Sequence, residues 1–220
     1  MIPLRDSIRW HKHAPVTILL LVANVLVFLW QSSLSPEGFE ASVFHYGFIP
    51  RLFFSNPLGE SYRLLSSMFL HGNLGHILGN MWFLWVFGRS LEHRLGSQRY
   101  LGLYLLTGIA AALLQGLFSA RSIVPMIGAS GAVSGVLGAY FLRFPRASVL
   151  TLVWIILPFV FWLPASLYLG YWALIQLFYG FSGVGGVAWW AHVGGFVAGL
   201  WLVRNDAPPA RQQRYRSYIS

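Results

Sequence analysis

Two short stretches, Gly128-Ala129-Ser130-Gly131 and Ala191-His192-Val193-Gly194-Gly195, decide the architecture of this chain, because each lies in a long apolar run. Gly195 and Gly199 form a G-x-x-x-G pair. Small residues at that spacing let a second helix approach closely within a membrane. If the run that begins at Ser130 is that second helix, a serine and a histidine come within reach of each other.

The composition of the chain indicates a membrane protein that crosses the bilayer several times. Of its 220 residues, 56% are hydrophobic and only 10% are charged, whereas soluble domains carry roughly 25% charged residues. The chain has no cysteine, which excludes disulfides, thiol catalysis and thiolate metal sites. Its net charge of +9 is typical of basic residues gathered in cytoplasmic loops. We therefore expect no nucleic-acid partner.

Stretches without charged side chains locate the membrane spans, because a spanning helix needs about 20 predominantly apolar residues. The last uncharged stretch, 147–203, is long enough for two spans or three. The predicted spans are 15–33, 72–90, 99–118, 130–143, 163–180 and 188–204.

The distribution of positive charge sets the number of spans and their orientation. Of the 15 basic residues, 12 lie in the tails and in every second loop, which places them on one side of the membrane. Only Arg51, Arg63 and Arg121 lie on the other side. Basic loops are cytoplasmic, so two spans lie within 147–203, giving six in total with both termini cytoplasmic. The leftover segment 149–162, which contains Pro158, is expected at the membrane interface or as a re-entrant segment.

Three regions flank or interrupt the predicted spans. Residues 1–14 form a basic cytoplasmic tail, 15–204 form the transmembrane domain, and 205–220 form a second basic cytoplasmic tail that we expect to be disordered. The first loop, 34–71, is rich in aromatic residues and poor in charge, so we expect it to be partly embedded in the membrane. No secretory signal or transit peptide is evident, which favours a bacterial-type plasma (inner) membrane.

Polar side chains inside a bilayer are costly and are functional candidates by default. In this topology His76 and Asn80 lie early in an inward-running helix, and so do Ser130 and His192 in two others. These four side chains therefore fall at a similar depth, toward the outer leaflet. Ser130 begins its helix, where free backbone N–H groups stabilise negative charge. A serine there with a histidine base predicts nucleophilic catalysis.

Each of these residues also has a structural interpretation. Ser130 can be a small packing residue, and His192 can hydrogen-bond to a neighbouring helix, as Gln115 and Gln176 are expected to do. His71, His76 and Asn80 can rigidify the junction between loop and helix. A zinc site built from His71, His76 and His192 is conceivable, but no acidic residue within the spans completes it. We therefore predict no metal and no other cofactor.

Taken together, these elements resemble the rhomboid family of intramembrane serine proteases across about residues 15–204. The matching motifs are His71-Gly-Asn-Leu-Gly-His76-Ile-Leu-Gly-Asn80, Gly128-Ala-Ser130-Gly131, Ala191-His192-Val-Gly-Gly195 with Gly199, Leu91-Glu92-His93-Arg94-Leu95-Gly96-Ser97, and Tyr62-Arg63. The resemblance implies an all-α bundle of six transmembrane helices with a large first loop.

The resemblance also implies residue roles. Ser130 is the expected nucleophile and His192 the base, while His76 and Asn80, with the Ser130 N–H, form the oxyanion hole. Structural support is expected from Tyr62, Arg63, His71, Glu92, Arg94, Gly195 and Gly199. The fifth span and the first loop would flank the route of the substrate helix.

Two positions depart from the family pattern. Tyr62 replaces the usual Trp in the first loop. Ser134 stands where some members place a tyrosine against the histidine ring, which leaves the support of His192 open, although Trp189 and Trp190 lie nearby in sequence.

Three functions are compatible with the sequence. The first is an intramembrane endopeptidase that cleaves single-span membrane proteins near the outer membrane face, through an acyl-enzyme. The second is a catalytically silent rhomboid-like protein that binds membrane clients, although such a protein is expected to lack the serine or the histidine. The third is a transporter or channel, which would usually carry intramembrane carboxylates or broken helices in repeated halves. We favour the first.

Overall fold

The computed structural model describes residues 1–8, 13–154 and 157–206, and most of these residues are helical. A 3-10 turn spans Ser67–Phe69, and a π-helical turn spans Leu84–Gly88. In chain order the elements are β1 (Ile2–Asp6), α1 (Pro15–Ser32), α2 (Pro36–Tyr46), α3 (Pro50–Ser55), α4 (Arg63–Ser66), α5 (Leu74–Phe83), α6 (Arg89–Leu95), α7 (Ser97–Phe118), α8 (Ser130–Arg143), β2 (Ser148–Trp154), β3 (Pro158–Pro164), α9 (Ala165–Ser182) and α10 (Trp189–Val203).

A helix lies at each predicted span, and the predicted bounds agree with the observed ones to within a few residues. The second span is built from α5, the π-helical turn and α6 together. By length and composition, α1 and α7 are long and apolar enough to cross a membrane, and α10 is a shorter apolar helix. The mostly helical fold is therefore confirmed, whereas the count of six spans remains a prediction.

Helix α8 forms the centre of the bundle, where it packs against α7 and α10. All its residues from Gly131 to Tyr140 are buried. A Cβ atom on Gly195 would collide with the backbone oxygen of Gly131, and one on Gly199 would collide with that of Gly135. The two backbones touch at these glycines, so the G-x-x-x-G pair of α10 faces α8.

Glu92 fastens the start of α1 to the junction between α6 and α7. Its Oε2 accepts hydrogen bonds from the Thr17 N–H and hydroxyl at 2.8 Å each. Its Oε1 accepts from the Val16 N–H at 3.0 Å and the Ser97 hydroxyl at 2.7 Å. The carboxylate thus satisfies backbone donors that a helix start leaves without intrahelical partners. Arg94 lies half-buried two residues further along α6.

The first loop is ordered around Arg63, which is buried at the start of α4. The Arg63 guanidinium donates to the backbone oxygens of Phe44, at 2.6 Å, and Gly47, at 2.9 Å, and it pairs with Glu60. The Tyr62 hydroxyl donates to the His45 oxygen at 2.9 Å. These bonds tie α4 to the end of α2.

A three-stranded antiparallel sheet, in the order β1-β2-β3, is the main difference from the sequence prediction. Strand β1 lies within the predicted tail 1–14, and the β2–β3 hairpin occupies most of the leftover segment 149–162. Leu163 and Pro164, predicted to start the fifth span, belong to β3. From residue 207 onward, the predicted C-terminal tail lies outside the residues that the structure describes.

The sheet is held against the helices by polar contacts of β1. The Asp6 carboxylate accepts from the Ser90 hydroxyl at 2.6 Å and the Tyr140 hydroxyl at 2.9 Å. The Trp82 indole donates to the Pro3 oxygen at 2.5 Å. Burial raises the pKa of the Asp6 carboxyl above its usual range, although these hydrogen bonds partly oppose the shift.

Candidate active site

The four residues predicted to carry the chemistry line one cavity of about 550 Å³ among α5, α7, α8, α9 and α10. Ser130, His192, His76 and Asn80 all contribute to its wall, together with Trp172. No acidic side chain lines it among the residues that the structure describes. The four residues that the sequence analysis assigned to the same depth therefore face the same space.

Ser130 is the first residue of α8, so it sits where the helix presents its free N–H groups. The preceding turn depends on Gly128, whose φ of +120° is rarely adopted by residues with a side chain. A Cβ atom there would also crowd the His76 ring, with 2.6 Å to Nε2. Glycine at this position lets His76 approach the loop that carries the serine.

His76 and Asn80 both present a hydrogen-bond donor to the cavity. The Gly72 N–H donates to His76 Nδ1 at 3.4 Å, which leaves Nε2 as the protonated nitrogen on the side of Gly128. Asn80 Nδ2 donates to His71 Nε2 at 3.0 Å. An amide nitrogen carries two protons, so one N–H of Asn80 remains for a ligand. This pair suits a developing oxyanion.

His71 is fully buried behind these two donors. Its Nε2 accepts from Asn80, and its Nδ1 lies 3.3 Å from the Phe69 oxygen, so both ring nitrogens are engaged within the protein. Its backbone N–H donates to Gln31 Oε1 at 3.0 Å. Among the described residues, no group of three or more His, Cys, Asp or Glu side chains is arranged to hold a metal.

His192, the fourth residue of α10, is oriented by α9. Its Nδ1 lies 2.7 Å from Gln176 Oε1. The Trp172 and Trp189 rings flank it, with centroids at 6.0 Å and 6.1 Å from the imidazole centroid. Gln176 and Trp172 were not predicted as site residues. They lie four residues apart on one face of α9. Gln176 was expected only to hydrogen-bond to a neighbouring helix, and no local signal distinguishes Trp172 from a packing residue.

Ser130 and His192 do not hydrogen-bond to each other among the described contacts. Catalytic hydrogen bonds are often long before a substrate binds. The Ser134 hydroxyl donates to the Ser130 backbone oxygen at 2.6 Å. The Ser134 hydroxyl is therefore bonded within its own helix, and Trp172 of α9 supplies an aromatic ring beside the imidazole.

Comparisons with known proteins agree with this geometry. The family model described as Rhomboid domain matches residues 58–206. RHOMBOID-like protein 4 of Arabidopsis thaliana is 31% identical over 178 residues, which cover 72% of this chain and 41% of that protein. Rhomboid protein 1, mitochondrial, of Saccharomyces cerevisiae is 30% identical over 167 residues, which cover 70% and 45%.

A bacterial relative carries a name that states an activity. Rhomboid protease GluP of Bacillus subtilis is 41% identical over 81 residues, which cover 37% of this chain and 15% of that protein. The chain spans less than half the length of the curated relatives named here. The matched domain includes every residue that lines the cavity. The chain is an integral membrane protein that belongs to the rhomboid family.

Proposed function

We propose that this protein is an intramembrane serine endopeptidase that cleaves single-span membrane proteins near the outer membrane face. The observation that supports this proposal is the single cavity shared by Ser130, His192, His76 and Asn80. The six spans, the cytoplasmic termini, the partly embedded first loop and the bacterial-type plasma membrane belong to the same proposal. It uses no metal or other cofactor.

The reaction follows from the hydrogen-bonding capacity of these side chains. Ser130 Oγ attacks the carbonyl carbon of the scissile peptide, and its proton passes to Nε2 of His192. The carbonyl oxygen becomes negative and accepts hydrogen bonds from His76 Nε2, Asn80 Nδ2 and the Ser130 N–H. Collapse of this intermediate breaks the C–N bond, and His192 returns the proton to the leaving amine. Water then hydrolyses the acyl-enzyme by the same steps.

The geometry favours an extended substrate segment over an intact helix. A carbonyl carbon within reach of Ser130 Oγ and two donors requires a peptide unit that is free of its own helical hydrogen bond. The cavity walls are mostly apolar and include Phe83, Trp172 and Val187. A segment that leaves its helix easily, through glycine or another poor helix former, is therefore the expected site of cleavage.

The test is cleavage of a single-span reporter co-reconstituted with the enzyme in proteoliposomes. Wild type should cut the reporter, Ser130→Ala and His192→Ala should not, and Ser182→Ala, which changes an exposed serine at the end of α9, should resemble wild type. If folded wild type binds the reporter without cutting any of several reporters, the client-binding function replaces the protease. Cleavage that survives Ser130→Ala would contradict the assignment of the nucleophile.

A further inference from the structure

The contact between Gln176 and His192 has a defined direction. Gln176 Nε2 donates to the Trp172 backbone oxygen at 3.2 Å, four residues earlier in α9. A backbone oxygen can only accept, so the amide nitrogen faces Trp172 and the amide oxygen faces the imidazole. Because Gln176 Oε1 can only accept as well, the Nδ1 of His192 must carry the proton in the bond that joins them.

A proton on Nδ1 of His192 determines the state of the other ring nitrogen, Nε2. A neutral imidazole carries one proton, so a proton held on Nδ1 leaves the Nε2 lone pair free to act as a base. The same bond fixes the ring plane, and Trp172 and Trp189 limit its tilt. Gln176 is 5% exposed, so water competes little for the amide oxygen.

We propose that Gln176 is a positioning residue that completes a Ser130–His192–Gln176 relay, a proposal that rests on the proposed function. The amide supplies the orientation and the tautomer that a carboxylate supplies in a serine–histidine–aspartate triad, without placing a charge in the bilayer. Because Gln176 belongs to α9 and His192 to α10, the base is oriented only while the two helices stay in contact.

The space around this bond supports a role for helix contact. An apolar cleft of about 330 Å³ lies between α9 and α10, and both Gln176 and His192 line it. Much of the α9 surface is not covered by other helices, and Leu174 and Phe178 are exposed there. A displacement of α9 that opens this cleft therefore separates Gln176 Oε1 from the imidazole. His192 then loses the hydrogen bond that orients it as a base.

The first test does not depend on activity. Solution NMR of the micelle-embedded protein with ¹⁵N-labelled histidine reports which ring nitrogen carries the proton, and His192→Gln identifies the relevant signals. Wild type should show His192 protonated on Nδ1. Finding the proton on Nε2 would overturn the proposal whether or not any reporter is cleaved.

The second test compares variants in the reporter assay. Gln176→Leu should lower kcat about tenfold with KM changed less than about twofold, because orientation of the base is lost and the cavity is kept. Gln176→Glu keeps an acceptor facing Nδ1 and should recover most of that loss. Asn24→Leu is the matched control, since Asn24 also donates to the backbone oxygen four residues earlier, that of Leu20, and does not line the cavity.

Two results of this comparison would overturn the proposal. One is a Gln176→Leu variant as active as Asn24→Leu. The other is a loss that appears in KM alone. Inactive wild type would contradict the proposed function instead, and the NMR result would still decide the orientation of His192.

A second inference concerns the outer face of the β2–β3 hairpin, which is apolar and exposed. Trp154 is 73% and Val160 is 53% exposed, and the pairing of β2 with β3 places both side chains on the same face of the hairpin. The hairpin lies within a stretch of 57 residues, 147–203, that has no charged side chain. An exposed face of this kind marks a surface that contacts membrane or protein.

The open edge of the sheet restricts the depth of this face. Within the described residues β3 pairs only with β2, so its other edge carries backbone groups without strand partners. Open sheet edges do not occur in the hydrocarbon core, because nothing there satisfies them. The apolar side chains of the hairpin are unfavourable in water, and the unpaired backbone groups of its edge are unfavourable in the hydrocarbon core. The hairpin is therefore expected in the headgroup region, which lies between the two.

Arginine–tryptophan pairs lie on the sheet and near the predicted cytoplasmic ends of two spans. The Arg5 guanidinium lies 5.5 Å from the centroid of the Trp162 ring of β3. The corresponding distance is 3.8 Å for Arg89 over Trp85. A third pair lies at the end of α10, where Arg204 stands 4.7 Å from Trp201. Tryptophan and arginine concentrate at membrane interfaces, where cationic groups meet lipid phosphates.

We infer that the β2–β3 hairpin docks on the headgroup region of the inner leaflet, with a preference for anionic lipids. The chain runs without a break from Pro164 of β3 into Ala165 of α9, so the docked face continues the lipid-facing surface of a proposed span. This inference rests on the proposed orientation. It does not depend on catalysis.

The absence of cysteine from the chain makes the test direct. A spin label at Val160→Cys, in vesicles of neutral lipid with and without phosphatidylglycerol, should lie shallower than one at Leu174→Cys in α9 and deeper than one at Arg146→Cys. Depth is read from collision rates with oxygen and a nickel chelate. Immersion should deepen with the anionic lipid.

Three results would overturn this inference. The first is a label at Val160→Cys that lies in bulk water, and the second is one that lies as deep as the label in α9. The third is dipolar broadening that reveals a second copy of the chain on this face.

Discussion

Replacing Glu92 by glutamine should destabilise the protein by an amount that can be worked from its contacts. The carboxylate accepts four hydrogen bonds, two of them at Oε2 from Thr17. In Glu92→Gln an NH₂ group faces the Thr17 N–H, which then has no acceptor. Bonds to a charged acceptor contribute about 1.5–3 kcal/mol each. Because the Thr17 hydroxyl can rotate to accept, we expect a loss of about 3 kcal/mol.

The assay is equilibrium unfolding of the purified protein in mixed micelles, followed by circular dichroism as the denaturing detergent is increased. Glu40→Gln is the matched control, because Glu40 lies exposed on α2 and should change the free energy of unfolding by less than about 0.5 kcal/mol. A Glu92→Gln variant as stable as Glu40→Gln would refute the claim that this carboxylate fastens α1 to the bundle.

Three further predictions concern packing, catalysis and pH. Gly195→Leu should lower the free energy of unfolding by about 3 kcal/mol, because its side chain meets the α8 backbone; Gly102→Leu, with open space around it, should have little effect, and equal losses would contradict the packing. Asn80→Ala should lower kcat by about 10²–10³-fold in the reporter assay, whereas a loss confined to KM would contradict an oxyanion role. Asp6→Asn should alter the pH dependence of thermal stability. Burial raises the pKa of Asp6 in the folded state. The stabilisation of wild type relative to Asp6→Asn is therefore fully present below the unfolded pKa of about 3.9 and is lost as pH rises through the folded pKa. A Tm of wild type that rises relative to that of Asp6→Asn between pH 3.5 and 7 would refute this prediction.

The helices and their packing were predictable because strong local signals specify them. Uncharged stretches fixed the helices, and the bounds of α8 were predicted as 130–143, as observed. The glycine pair on α10 predicted a closely packed helix neighbour, since only small residues permit that approach, and the structure shows that this neighbour is α8. Charge placement alone predicted a shared depth for Ser130 and His192, and the structure places both side chains on one cavity.

The sheet and the relay residue were harder to predict because their signals are not local. Strand β1 pairs with β2 across more than 140 residues of sequence, and an apolar run with Pro158 does not distinguish strand from interfacial segment. Gln176 is a lone amide on an apolar helix, and its partner depends on how α9 rotates against α10. Packing of this kind appears only once the bundle is assembled.

The most direct test of the central claim is labelling of the detergent-solubilised protein with a fluorophosphonate, followed by mapping of the labelled peptide. The account predicts one label, on Ser130, that disappears in Ser130→Ala and in His192→Ala. A label on Ser134, or one that survives Ser130→Ala, would contradict the assigned nucleophile. A folded wild-type protein that takes no label would contradict the protease itself and favour a rhomboid protein that binds its clients without cutting them.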